Sequence, residues 1–306
     1  MENSETKEFV PVTKSMLDRT NRFIALEGVD CTGKNQITSI IEKKGIGIPG
    51  VKTLRVDFPQ YDIPSGKMIT KYLNGDYGDA SRMMEPVPNV APQEWIGLVM
   101  NRVASIEKEI NFIARLYSLN RIEYFRLNPP APDTVYIFDR YQYSNAIHQI
   151  SLVNEYMSTG EGAALSKALW SFAKHIGSMD EEISMPEFVQ ERCNEMIRSM
   201  YGGWTEYEKT YEVPSAFTFM LSLDADTVIK RMKARKESKH SGTDILEMEA
   251  SIRRACNFVS SCQSFHELND VYTIDVKELD ENNDAIANAI IGAYHELLRE
   301  GAEPSY

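Results

Sequence analysis

The stretch Gly28-Val29-Asp30-Cys31-Thr32-Gly33-Lys34-Asn35 (GVDCTGKN, residues 28–35) follows directly on the apolar run Phe23-Ile24-Ala25-Leu26. It reads Gly-x-x-x-x-Gly-Lys, and then carries Asn35 where a phosphate-binding loop ordinarily has Ser or Thr. Between a strand and a helix, such a loop lets main-chain amides curl around a polyphosphate. The helix N-terminus adds partial positive charge, and the lysine reaches the outer phosphates. Asn35 offers a neutral amide oxygen that can hold a magnesium ion directly or through water. The motif gains weight only if the rest of a nucleotide site follows it along the chain.

Working outward, short apolar runs bounded by turn residues recur at 22–27, 51–57, 134–138, 216–223 and 271–275. They do not alternate apolar with polar, as expected of strands covered on both faces. Helical patterns lie between them at 36–44, 63–73, 93–127 (stopped by Asn128-Pro129-Pro130), 225–237, 247–267 and 281–299. Strands alternating with helices predict an α/β fold: a doubly wound, mostly parallel five-stranded sheet with helices on both faces. Residues 1–20 read as an N-terminal extension and 21–306 as a single domain. Segments 78–92 and 151–213 exceed what the fold requires and read as helical or packing elaborations of that domain, since no Gly/Ser linker sets them apart.

Composition is that of an ordinary globular chain: 306 residues, 42% hydrophobic, 25% charged, with a formal net charge of −12. So acidic a surface repels a phosphate backbone, so no nucleic-acid partner is expected, whereas a local basic pocket for a small phosphate ligand remains open. Cys31, Cys193, Cys256 and Cys262 form no CxxC and no paired-ligand spacing, the pattern of reduced thiols. The N-terminus lacks the apolar centre of a signal peptide, and no apolar stretch approaches membrane-spanning length. A soluble, cytoplasmic protein with no membrane partner is the expectation.

Four further segments, in order, carry a resemblance. They are "DFPQYDIPSGKMITKYLNGDYGD" (57–79), "LYSLNRIEYF" (116–125), "FDRYQYSNAIHQ" (138–149) and "LSLDADTVIKRMKARKE" (221–237) with "DILEME" (244–249). Together with the glycine loop they resemble the thymidylate kinases, nucleoside monophosphate kinases that phosphorylate dTMP with ATP, over roughly 200 of the 306 residues. The resemblance implies ATP and Mg2+ as cofactors, dTMP as acceptor and a homodimer as the assembly. It implies nucleotide-holding roles for Gly28, Asp30, Cys31, Thr32, Gly33, Lys34, Asn35 and Gln36, with Asn35 and Asp139 at the metal.

Residue chemistry runs parallel to the resemblance. Asp139 ends a predicted strand, where a phosphate-loop enzyme places its second magnesium-positioning carboxylate. Arg140 beside it offers a planar fork suited to a dianionic phosphate. Tyr117, Asn120 and Arg121, at i, i+3 and i+4, share one helix face; by resemblance Tyr117 stacks on thymine and Arg121 donates to its O4 carbonyl. Phe58, Tyr61, Asp30, Ser144, Asn145 and His148 complete the implied acceptor site. A lid is expected at 233–247, with Arg235 first, and Lys239 as substitute, supplying positive charge to the transferring phosphoryl group. The chain departs from the family at Asn35, at Gln60-Tyr61 where relatives carry an arginine, and at His148 where some carry a tyrosine. A kinase of other deoxynucleoside monophosphates and a non-catalytic nucleotide-binding homologue therefore stand beside the thymidylate kinase reading.

Overall fold

The computed structural model describes residues 11–73, 112–144, 147, 205–239, 249–261, 271–279 and 282–304, with isolated positions between 167 and 184. Among the described residues five strands form one sheet: β1 (Phe23–Gly28), β2 (Lys52–Asp57), β3 (Thr134–Asp139), β4 (Phe217–Ser222) and β5 (Val271–Asp275). All pairings are parallel, in the order β2-β3-β1-β4-β5. The continuous apolar runs are the reason. β1 and β3 are buried at every residue and β4 at all but its last, whereas the edge strands β2 and β5 are partly open.

Successive residues of β1 point to opposite faces and so divide the core in two. Ile24 and Leu26 join an aliphatic cluster with Ile37, Ile41, Ile290 and Tyr294. Phe23 and Ala25 join an aromatic one with Phe58, Phe125, Phe138 and Tyr141. The first cluster is covered by helices α1 (Lys34–Lys44), α5 (Ala225–Lys239), α6 (Glu249–Ser261) and α7 (Asn283–Glu300). The second is covered by α3, which runs through 112–127. Helix α2 (Pro64–Leu73) follows β2, and a short helix α4 spans 205–210. The doubly wound α/β expectation holds.

Strand β1 has β3 on one side and β4 on the other, so the winding direction reverses beside it. In open α/β sheets that reversal opens a crevice at the carboxyl ends of the strands, where ligands bind. The glycine loop leaves β1 at that edge. Helix α1 begins at Lys34 itself, two residues earlier than expected, because Gly33 takes a left-handed conformation that turns the chain directly into the helix. Residues 233–239, expected as the start of a lid, continue α5; residues 240–247 and the 78–92 segment lie outside the described residues. Of the 151–213 elaboration, 205–213 is built into the core, with Glu208 and Val213 buried. Among the described residues no helix is long and apolar enough to cross a membrane.

Candidate active site

The loop after β1 is shaped by its own main chain. Gly28, Cys31 and Gly33 all take positive φ, of 132°, 66° and 98°. Thr32 is buried, and its hydroxyl donates to the Val29 carbonyl at 2.9 Å. Lys34 is buried as well. Its Nζ donates to the carbonyls of Gly28 (2.8 Å) and Val29 (2.7 Å) and lies 3.9 Å from an Asp30 carboxylate oxygen. Burial lowers its pKa, and the neighbouring Arg140 charge adds to that, against Asp30, Asp139 and Glu27. A buried ammonium folded into the loop's own curve is placed to exchange these carbonyls for phosphate oxygens. Asn35 and Gln36 are exposed on the first turn of α1.

From β3, the strand beside β1, further charges converge on the same loop. Asp139 closes β3 and is buried; burial raises its pKa despite Lys34 and Arg140 nearby. Arg140 has φ 68°, and its guanidinium turns toward the loop to pair with Asp30. Burial opposes its charge, but Asp30 and Asp139 hold its pKa above the ordinary arginine value. Tyr61, exposed, and Tyr117, half-buried, also act electrostatically on Arg140. The structure therefore brings Asp30, Lys34, Asp139, Arg140, Tyr61 and Tyr117 together.

Several expected substrate contacts have protein partners instead. Phe58 is buried in the aromatic core, 5.6 Å from Tyr141 and 5.7 Å from Phe138 by ring centroids. Asn120 is fully buried; its amide accepts from the Gln60 N–H at 2.8 Å and donates to the Gln60 carbonyl at 2.9 Å. Arg121 is buried against Glu208, donates to the Tyr141 carbonyl at 3.0 Å and lies over the Tyr141 ring. Ser144 gives its hydroxyl to Glu27. For Asn120 and Arg121 the reason is that a helix face packed on a sheet buries the polar groups it carries; Phe58 follows β2 and Ser144 follows β3. Asn145 and His148 lie outside the described residues.

Three contributors escaped the sequence reading. Glu27 hides inside an apolar strand, its carboxyl pushed up by burial against the pull of Ser144, the Tyr143 N–H and Lys34. Arg55, on β2, grips Asp57 with two nitrogens (2.6 and 2.8 Å), reaches Asp139 at 3.4 Å, and donates to the Asn35 carbonyl at 3.1 Å. Glu208 comes from α4 and accepts from Ser118, Arg121 and Gln142. For Arg55 a signal existed: β2 and β3 end in the carboxylates Asp57 and Asp139, which are register partners in the sheet. From α5, Arg231 donates to the Cys31 carbonyl at 3.1 Å and Arg235 reaches the Cys31 sulfur at 3.9 Å. Lys233 pairs with Glu249 at 2.6 Å, and the Lys239 side chain is outside the described residues.

A parallel sheet with a glycine loop at the carboxyl end of its central strand is an open α/β fold whose ligand crevice lies at that edge. No family model matches the chain, and no curated protein matches it in sequence. Among solved structures it is similar to a thymidylate kinase from Candida albicans, described as having broad substrate specificity and a novel structural element. The two share 15% identity at a TM-score of 0.51, over 94% of this chain and 96% of that one. At this identity the likeness is one of fold.

Proposed function

We propose that this chain transfers the γ-phosphoryl group of ATP to a deoxynucleoside monophosphate, with dTMP the first candidate acceptor. The observation that carries the reading is the pairing of the Arg140 guanidinium, from the end of β3, with Asp30 inside the glycine loop that also holds Lys34. Two anion-receiving groups thus meet at one sheet edge. Loop amides and Lys34 would take the donor's phosphates, and Arg140 the acceptor's. An oxygen of the acceptor phosphate bonds to the γ-phosphorus as the β,γ-bridge breaks and ADP departs. The acceptor is already anionic, so alignment and charge neutralisation do the work, not a strong base.

Mg2+ is held in such sites by one or two protein oxygens plus substrate phosphates. Asn35 and Asp139 fit that sparse donor set, and among the described residues no group of three His, Cys, Asp or Glu side chains is placed for an all-protein site. Bound there, Mg2+ would neutralise charge between the phosphates. Arg235, beside Cys31, would supply positive charge from the lid. A homodimer is proposed from the family resemblance, for sedimentation to check.

Arg121, locked on Glu208, favours a broader base choice than a freely presented guanidinium would impose. The deciding assay supplies MgATP with dTMP, dUMP, dCMP or dGMP in turn and follows ADP and the nucleoside diphosphate. The expected result is turnover with dTMP, lost by two orders of magnitude or more (~10²-fold) in Lys34→Ala and in Arg140→Ala. Nucleotide binding without turnover would make the chain a non-catalytic homologue. Unchanged rates in both variants would refute the site.

A further inference from the structure

Glu27 is the last residue before the glycine loop and is fully buried in a strand otherwise apolar up to that point. A carboxyl group in such a place costs several kcal/mol unless its oxygens find donors. Every donor that an apolar strand lacks is here supplied by one segment, a turn at Arg140 and Tyr141 that runs into the helical residues Gln142–Ser144. Its Oε1 accepts the N–H groups of Tyr141 (2.9 Å) and Tyr143 (2.8 Å), and its other oxygen accepts the Ser144 hydroxyl.

That turn is the one that carries Arg140. With φ at 68°, Arg140 holds a left-handed conformation that costs a side-chain-bearing residue about 1 kcal/mol or more and persists only where its surroundings enforce it. The Arg140 N–H donates to the Leu26 carbonyl at 3.0 Å, and the next N–H goes to Glu27. Two adjacent residues of β1 therefore clasp the turn on both sides of Arg140. The same two residues run straight into Gly28. A single backbone segment thereby sets where the loop begins and where the guanidinium stands.

We propose that Glu27 is a positioning residue: its carboxylate ties the 140–144 segment to the root of the glycine loop and so sets the separation of the two anion-binding groups. It touches neither nucleotide. Lys34 has its own hydrogen bonds to Gly28 and Val29, and Glu27→Asp preserves the negative charge that acts on it, so the donor half is expected to survive that substitution. What depends on Glu27 is the register of one half against the other. The inference rests on the kinase reading.

The test compares ATP with a dinucleoside pentaphosphate carrying adenosine at one end and thymidine at the other, a probe that must span both groups. Glu27→Asp shortens the tie by one methylene while keeping its charge; Glu27→Ala removes it; Glu27→Gln keeps an acceptor for both amides. In Glu27→Asp, at temperatures where it is folded, ATP affinity is expected to stay within about twofold. Its affinity for the spanning probe should fall about tenfold, and kcat by about a hundredfold. Glu27→Gln should recover most of that loss. Glu27→Asp that matches the wild type in kcat and probe affinity overturns the inference, as does an equal loss of ATP and probe affinity, which would mark Glu27 as structural only. If Glu27→Ala fails to fold, Glu27→Asp decides. A wild type that binds ATP but gains nothing from the spanning probe overturns the kinase reading, and this inference with it.

Discussion

A methyl group on Gly28 would fall 2.6 Å from the main-chain oxygen of Leu221, and the residue's φ of 132° is one that L side chains rarely adopt. Both obstacles are backbone, so neither relaxes through a rotamer change. Gly28→Ala is therefore expected to destabilise the fold by about 2 kcal/mol or more and to abolish detectable ATP affinity, since β1 must shift away from β4 before the loop can form. Chemical denaturation together with nucleotide titration checks both halves of that expectation. The loop's other departures are milder. Cys31 bears a side chain at φ 66°, and burial holds its thiol above the ordinary cysteine pKa even with Arg235 beside it.

At the scale of elements, α3 is the hinge between expectation and structure. Its helical spacing put Tyr117, Asn120 and Arg121 on one face, and a helix does form there. Yet the face meets three different neighbours. Tyr117 lies within electrostatic reach of Arg140, Asn120 holds the main chain of Gln60, and Arg121 is committed to Glu208 of α4. The Arg121–Glu208 pair is almost wholly buried, with side chains 3% and 1% exposed, so removing one partner strands a charge in the core. Glu208→Leu and Arg121→Met, each made alone, should lose about 3–5 kcal/mol of stability. The double variant Arg121→Met/Glu208→Leu, which removes both charges, should lose clearly less than the sum of the two singles. Equal additivity in urea unfolding would show that the ion pair is not what joins α3 to α4. The 205–213 segment is on this account a structural wall of the site and not a surface ornament.

Over the whole molecule, a net charge of −12 coexists with a cluster of cations at the carboxyl edge of the sheet, interleaved with the carboxylates of Asp30, Asp57 and Asp139. Lys34, Arg55, Arg140, Arg231 and Arg235 reach this edge from β2, α1, the turn after β3, and α5. On the proposed function, these cations would exchange their carboxylate partners for the phosphate oxygens of a small polyphosphate. Because a ligand that binds only the native state stabilises it, saturating MgATP at about a hundredfold above its Kd should contribute about 2.7 kcal/mol. For a chain of this size that corresponds to roughly 3–6 °C in Tm. The same addition should leave Lys34→Ala unshifted. A shift of equal size in the variant would place the nucleotide somewhere other than the glycine loop.

Local pattern was enough to establish the five strands, the glycine loop and the helices between them as far as the described residues reach (93–111 and 262–267 lie outside those residues), because each is dictated by apolar periodicity or by a residue with special backbone freedom. The chain order of Gly28–Lys34, Asp139 and Arg140 was equally readable, since strand ends in a parallel sheet gather on one edge. Tertiary structure alone decided which side chains of the expected site are held by distant protein partners. Phe58, Asn120, Arg121 and Ser144 look identical on paper to substrate contacts; packing committed them to Tyr141, Gln60, Glu208 and Glu27. Those partners lie between 60 and 117 residues away in sequence in the three hydrogen-bonded cases, at separations of 60, 87 and 117. No periodicity spans such distances, because a buried polar group is satisfied by whatever the fold brings next to it.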